Sequence, residues 1–450
     1  MFFLQYSTFC DTMGREGDNM KQTKWIYPLI AFAVVVLSLT ACALLLFSRV
    51  SPKALAAAWK QPKQEVSAET VPAPTLPPLT EPETEAPTES TEPRSAFAEI
   101  ADDIAAQMEP TVSTVSLMAV GDNLIHNMVY NSGMYVEPWN YDHLYKEILP
   151  DIEAADVAII NQETIFVSDH ANISNYPVFG TPREVGDAVY KAGFDVILQA
   201  TNHTMDKGID NVYDALDFWG DKDVTVLGIH KSAEDAATPK IIEVNGVKLG
   251  LLNYTYGLNG FVLPAGQEYA IDLLDNEQKL MADIAYCEEH ADVTIGFWHM
   301  GVEYMTVPTD DAKRVVEKTV AAGCDLLICC HPHVLQPYEM YTAQNGNKAL
   351  VYYSLGNYIS AMDRLDSLLG GMAKVTLQLT ARGNDRRVEI IDYSLEPLIT
   401  HVNYGTNFTT YHLEDYSDYL GAYNVLCPVT TSALWNRFYE IVGHPEDQVN

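Results

Sequence analysis

Short apolar runs rich in Val and Ile recur between residues 112 and 354, and nearly every one stops at a small polar cluster. Val115 to Val120 ends in Gly121-Asp122-Asn123, with His126 just beyond. Val157 to Ile160 ends in Asn161-Gln162-Glu163, and Val196 to Leu198 is followed by Asn202-His203 and Asp206. In the second half, Val293 to Trp298 ends at His299 with Glu303 behind it, and Leu326 to Cys330 ends at His331-Pro332-His333. A further cluster is Ser354-Leu355-Gly356-Asn357. Apolar runs of this length and composition predict buried strands. In open α/β sheets, groups that meet a ligand gather just past the carboxyl ends of the strands.

The spaces between these runs predict helices. Strand Val112 to Val120 is followed by a helix near Tyr141 to Ala155, and strand Val157 to Ile160 by one near Pro182 to Ala192. Strand Asp195 to Ala200 leads to a helix near Ile209 to Trp219, then to strand Val224 to Ile229. Such alternation implies parallel strands with helices packed outside. Lys240 to Val244 and Val247 to Tyr254, joined by Asn245-Gly246, predict a hairpin with a type I′ turn. Helices near Asn276 to Glu289 and Asp310 to Ala322 then precede strands Asp292 to Trp298 and Asp325 to Cys330. Beyond them, Tyr338 to Ala343, Ala349 to Ser354, Lys374 to Thr380 and Val388 to Leu395 are separated by turns such as Asn345-Gly346 and read as antiparallel strands. Two sheets packed face to face with helices outside, a four-layer α/β/β/α sandwich, accommodate both textures. This α/β domain is expected over residues 111–400, with residues 401–450 a C-terminal extension carrying a helix near Ser432 to Val442.

The N-terminal region has a different texture. Trp25 to Phe47 is almost unbroken apolar sequence, the length of a transmembrane helix. Residues 48–110, and above all Gln61 to Ser95, are dominated by Pro, Thr, Glu, Ser and Ala, a composition that forms an extended, disordered stalk rather than a core. The expectation is a cytoplasmic tail (1–24), a single-pass anchor (25–47), a stalk, and a domain outside the cell membrane. Leu39-Thr40-Ala41-Cys42 resembles a lipidation site, but apolar sequence continues through Ala43 to Phe47, which favours the uncleaved helix. Met20 is an alternative start.

A formal net charge of −34 and a pI near 4.5 argue against nucleic acid as a partner, because the field repels phosphates. Cys287, Cys324, Cys329, Cys330 and Cys427 are odd in number and suggest no disulfide framework. Cys329 and Cys330, although next to His331, read as small buried hydrophobes.

Asp, Glu, Asn and His converging at strand ends make an oxygen and nitrogen site for hard or borderline divalent metals. Taken singly, Asp122 or Asn202 also reads as a helix cap. It is the coincidence of several strand-end clusters that points to a site. The set Gly121-Asp122, Asn161-x-Glu163, Asn202-His203-x-x-Asp206, His299-x-Gly301-x-Glu303-Tyr304, His331-Pro332-His333-Val334-x-Gln336 and Tyr353-Ser354-Leu355-Gly356-Asn357 resembles, in order and spacing, the motifs of CapA-type capsule and poly-γ-glutamate synthesis proteins.

That family is similar in fold to calcineurin-like metallophosphoesterases, whose sites hold two metals. The resemblance implies two divalent ions (Mn, Fe, Zn or Mg) held by Asp122, Asn161 or Glu163, Asn202, His299, His331 and His333. It also implies His203 as general acid, oriented by Asp206. Metallophosphoesterases usually open with Asp and His two residues apart; here the nearest His is His126, four residues on, either a further ligand, a cap or a contact to a substrate anion. The implied partners are an anionic surface polymer or its precursor, membrane biosynthesis proteins, and the bilayer through residues 25–47. Two functions stay open: a metal-dependent hydrolase or transferase, or a non-catalytic accessory component of a polymer biosynthesis or export complex. Glu303, Gln336, Ser354 and Asn357 are expected either to support the ligands or to serve as packing residues, and Trp298 and Tyr304 as wall or core.

Overall fold

Every residue of β1 (Thr111–Asn123) from Leu117 onward is buried, as in a central strand covered on both faces. This computed structural model describes residues 109–135, 137–403 and 407–444. The expected membrane helix, nearly all of the stalk and the Cys42 motif lie outside them. Among the described residues, no helix is long and apolar enough to cross a membrane.

After β1 come α1 (Asn127–Ser132), α2 (Leu149–Ala154), β2 (Val157–Asn161), β3 (Phe166–Val167), β4 (Thr181–Pro182), α3 (Arg183–Ala192), β5 (Val196–Leu198), α4 (Ile209–Gly220) and β6 (Thr225–Leu227). β1, β2, β5 and β6 lie side by side and parallel, as the alternation predicts. The helix expected over Tyr141 to Ala155 is broken: a short 3₁₀ turn at Asp142–Leu144 precedes α2. Pro150 is the reason, since it lacks an N–H and fits only the first turn of a helix, which is where α2 holds it.

The second sheet contains β7 (Lys240–Val244), β8 (Val247–Thr255), then, past α5 (Glu277–His290), β9 (Val293–His299), and past α6 (Asp310–Ala322), β10 (Leu326–Cys330), β11 (Tyr338–Thr342) and β12 (Lys348–Tyr352). Its order is β11-β12-β10-β9-β8-β7. The β7–β8 turn has φ of 51° at Asn245 and 79° at Gly246, the two positive values a type I′ turn needs. β12 pairs antiparallel with β11 but parallel with β10, so one edge of the strand read as antiparallel extends the parallel set. β13 (Asn357–Ile359) pairs with the end of β1; after α7 (Leu365–Leu368), β14 (Leu369–Arg382), β15 (Asp385–Val402) and β16 (Phe408–His412) extend the first sheet antiparallel from β1.

Period-2 alternation along the strands distributes side chains between faces. Val115, Leu117 and Ala119 of β1 share one cluster with Leu249 and Leu251 of β8, Ile295 and Phe297 of β9, and Leu326 and Ile328 of β10. That cluster draws on both sheets. Met118 and Val120 of β1 instead meet Val185 and Val189 of α3, while Trp298 and Leu327 of the second sheet meet Ile284 of α5 and Val316 of α6. Cys330 belongs to the shared cluster and Cys329 to the helix side, both as buried free thiols.

The stretch after residue 400 is woven into the same packing. β15 runs across residue 400, β16 pairs with it, and α8 (Asp418–Ala422) and α9 (Thr431–Val442) follow. α9 starts at Thr430, whose hydroxyl accepts from the N–H of Ala433, and turns Leu434, Phe438, Ile441 and Val442 toward the shared cluster.

Candidate metal centre

Gly121 lies so close to the β13 turn that a β-carbon on it would stand 2.0 Å from the carbonyl oxygen of Gly356. With no side chain there, the N–H of Asp122 donates to that carbonyl at 2.9 Å, and Asp122 lies in register with Asn161 on one side and Asn357 on the other. Three strand ends thus deliver polar side chains to one point. From the second sheet, β9 delivers His299 and the turn after β10 delivers His331 and His333, both with left-handed backbones (φ 100° and 58°). Such conformations cost of order 1–3 kcal/mol each and persist only where the surroundings enforce them. Here the His331 N–H donates to Asp122 Oδ2 at 3.2 Å, the Tyr304 N–H to the Pro332 carbonyl at 2.8 Å, and Asn357 Nδ2 to the His333 carbonyl at 3.2 Å.

The result is a buried polar cluster spanning both sheets. Asp122 Oδ1 accepts from Asn161 Nδ2 at 2.7 Å, and Asp122 Oδ2 lies 3.1 Å from His333 Nδ1. His299 Nε2 is 2.9 Å from Asn202 Oδ1, with Asn161 Nδ2 3.3 Å from its Nδ1. Glu163 Oε1 lies 3.9 Å from His299 Nε2 and 3.7 Å from His333 Nε2. Ligand atoms of Glu163, His299 and His331 fall within 4.8 Å of one another, and those of Asp122, Glu163 and His333 form a second such set.

Whether a cation fits is decided by what the buried atoms lack. Both carboxylate oxygens of Glu163 and Nδ1 of His331 are buried without a hydrogen-bond partner. Unpaired buried polar atoms are costly, and a carboxylate more so than a neutral group. A divalent ion among carboxylates, imidazoles and an amide oxygen removes that cost, so the residues present fit the group.

The local field agrees. Burial pushes the Glu163 carboxyl well above the ordinary carboxylate range, with nearby Asp122 adding to the rise and His333 opposing it. Burial also holds His299 well below its usual range and His331 at about 3, helped in each by neighbouring imidazoles. His333 is the exception: burial opposes its charge, but Glu163 and Asp122 raise it to about 9. The neutral form favoured at His299 and His331 is the one that binds metals, and the rise at His333 reflects the acidic side chains that face it.

Beside the cluster opens a cavity of about 270 Å³ lined by Leu124, His126, Tyr176, Phe179, His203, Glu303, Tyr304, His333 and Met362. His203 Nδ1 lies 2.7 Å from Asp206 Oδ2, which also accepts the Phe179 N–H at 2.6 Å. The ring is thereby oriented with Nε2 left to exchange a proton. His126 sits in the cavity wall, stands outside both ligand sets, and accepts the Ala361 N–H on Nδ1 at 3.3 Å; burial lowers it to about 4.

The supporting residues divide by role. Asn357 reaches His333 Nδ1 at 3.1 Å, Ser354 Oγ donates to the Val334 carbonyl, and Gln336 Nε2 donates to the Met305 and Val307 carbonyls. Glu303 is exposed at the cavity, Trp298 is buried core, and Tyr304 is wall. Sequence reasoning missed Asn259, in the loop between β8 and α5, which joins Asn202 Nδ2 at 3.2 Å and lies 3.3 Å from His203 Nδ1. It missed Tyr256 as well, whose ring is 4.5 Å from that of His331. Asn259-Gly260 was a turn signal, but nothing in the sequence aims that turn at the site. Gln162, paired with Asn123 at 2.7 Å, braces the two strand ends from behind.

Comparison with known proteins finds a match to the family model described as bacterial capsule synthesis protein PGA_cap over residues 116–362. Two curated relatives are the PGA biosynthesis protein CapA of Bacillus subtilis (strain 168), 27% identical over 266 residues, and the capsule biosynthesis protein CapA of Bacillus anthracis, 26% identical over 255 residues. The matches cover 56% and 54% of this chain and span 66% and 59% of those relatives. Among solved structures, a phosphatase from Mycoplasma pneumoniae matches with TM-score 0.39 at 12% identity, covering 64% of this chain and 95% of its own. The NAD nucleotidase of Haemophilus influenzae matches with TM-score 0.39 at 9% identity, covering 73% and 60%.

Proposed function

The chain belongs to the bacterial capsule synthesis protein family PGA_cap, and on that premise we propose that it takes part in capsule or poly-γ-glutamate production as a metal-dependent hydrolase or transferase. The observation that carries this reading is the buried convergence of Asp122, Glu163, His299, His331 and His333, with both Glu163 oxygens unpartnered. The two overlapping ligand sets share Glu163, which supports a reading with two divalent ions.

When bound, such ions supply Lewis-acid activation of a phosphoryl or acyl oxygen. The chain's own residues do the rest. Asn161 and Asn357 hold Asp122 and His333 in place, Asn202 orients His299, and the His203–Asp206 pair presents an imidazole nitrogen to the cavity as proton donor. Phe179 packs edge-on to the His203 ring, with centroids 4.7 Å apart, and keeps water from one face.

In this proposal residues 25–47 anchor the chain in the cell membrane, with the domain outside, where the partners are an anionic surface polymer or its precursor and membrane biosynthesis proteins. The test is metal analysis of the purified chain followed by assays on phosphoesters and on γ-glutamyl amides. Metal-free protein inactive on both after loading with Mn, Fe, Zn or Mg would refute the proposal.

A further inference from the structure

The metal cavity poses a problem for an anionic substrate. No Lys or Arg is among the side chains lining it, whereas Glu303 is, and the carboxylates of Asp122, Glu163 and Asp206 lie behind. The chain as a whole has 61 acidic against 27 basic residues. A polyanion approaching the mouth meets repulsion unless a fixed cation stands there.

One does. The guanidinium carbon of Arg364 lies 4.9 Å from the centre of the Tyr304 ring. Tyr304 is itself pinned, with a left-handed backbone (φ 66°) and its N–H bonded to the Pro332 carbonyl between the two histidines of the turn. Its ring centre is 6.4 Å from that of His333. The segment leading to Arg364 follows the cavity rim, since the Ala361 N–H bonds His126 and Met362 lines the wall.

Arg364 is exposed, and among the described residues its side chain makes no ion pair or hydrogen bond, whereas five of the seven described arginines, Arg183, Arg314, Arg386, Arg387 and Arg437, are paired to carboxylates. A guanidinium over a ring face leaves edge donors free, and that fork matches a planar oxyanion in two-pronged fashion. The position is one ring beyond the ligand histidines. It therefore meets a charge other than the reacting group, as a chain with repeated anionic groups provides.

Resting on the metal reading above, we infer that Arg364, placed over the Tyr304 ring, is a specificity-determining residue that takes a carboxylate of a polyanionic chain at the mouth of the metal cavity. The test uses the purified full-length chain loaded with Mn(II), with metal content measured beside each binding titration. The probes are a γ-linked glutamate oligomer, its neutral methyl ester, and inorganic phosphate. Arg364→Ala should weaken the oligomer at least about tenfold, the scale of a lost charged hydrogen bond, with metal content unchanged. Arg364→Lys should restore only part, because an ammonium lacks the fork, and Tyr304→Leu should weaken the oligomer by removing the platform. The ester should bind weakly to every form.

Oligomer binding equal in Arg364→Ala and in the unaltered chain would overturn the inference. So would Arg364-dependent binding of phosphate without the oligomer, or no oligomer binding by the unaltered chain. Failure of the metal reading shows separately, as an unaltered chain that retains no divalent ion after dialysis.

Discussion

The carboxylate of Asp122, at the end of one sheet, accepts the backbone N–H of His331, in a turn of the other, across 209 residues of sequence. This bond ties the shape of the His331–His333 turn to the same side chain that faces His333. Asp122→Ala should therefore remove metal, leave the His331 N–H unpaired and leave the Asn161 amide with only its contact to His299, lowering stability by about 1–3 kcal/mol. Urea unfolding of the metal-free protein measures this; an unchanged midpoint would refute the coupling.

Replacing both His331 and His333 by Ala should abolish most divalent-ion binding while the fold stays intact, since the shared core does not depend on one ion. Metal content by elemental analysis, beside circular dichroism, decides it. Stoichiometric metal in the folded double variant would remove these ligands from the site.

His203 separates catalyst from scaffold. It stands outside both ligand sets, so His203→Gln should keep metal and stability while lowering turnover by roughly 10² to 10⁴-fold. An accessory component would instead keep full function in cells with this substitution. Normal polymer production by His203→Gln would end the enzyme reading and leave the metal pocket.

At Gly121 the test is steric. Gly121→Ala drives a methyl group into the Gly356 carbonyl, backbone against backbone, and should destabilise by about 3 kcal/mol or more with loss of metal. Gly220→Ala, at the end of α4 with nothing within 4 Å, is the control and should be neutral or slightly stabilising. Comparable thermal midpoints for the two variants would contradict the close approach.

Away from the site, Asp151, Lys374, Glu396 and His412 form a closed ion cluster between α2 and strands β14, β15 and β16. Despite the opposing effect of burial, His412 and Lys374 lower Asp151 from 3.8 to about 2, and the bond to Asp151 raises His412 above its ordinary 6.5. The His412 contribution is then fully present below pH 6.5 and lost as pH rises through its raised value; the Asp151 contribution is present above pH 3.8 and lost as pH falls through about 2. The stability gap between the unaltered chain and His412→Gln should narrow from pH 6 to pH 8.5. A gap independent of pH would show that His412 is not charged there.

If residues 25–47 anchor the chain with its domain outside, protease added to intact cells should cut within Gln61 to Ser95 and release a soluble fragment. Protection until the membrane is permeabilised would reverse the orientation.

Much of this molecule is written in one dimension. The run Val115 to Val120 needs burial on two faces, so it declares a central strand wherever it is placed, and Asp310 to Ala322 forms as read, with the structure adding Thr309 as its cap. Asn245-Gly246 fixes its turn because few residue pairs tolerate two positive φ values. Burial period and turn chemistry are local, and so they are legible. The expected helix over Tyr141 to Ala155 ran through Pro150, although that residue carries the signal for the break the structure shows.

Sequence also marked Asp122, Glu163, His299, His331 and His333 as strand-end candidates, because polar residues that close an apolar run sit at the rim of a sheet. What it left open is which of them meet. The pairing of β13 and β14 with β1, the bond from the left-handed His331 turn to Asp122, the reach of Asn259 to Asn202 and His203, and the placing of Arg364 over Tyr304 all join segments far apart in the chain. No local propensity specifies such contacts. They exist only because two sheets bury one shared apolar face, and the geometry of that packing decides which rim residues face each other.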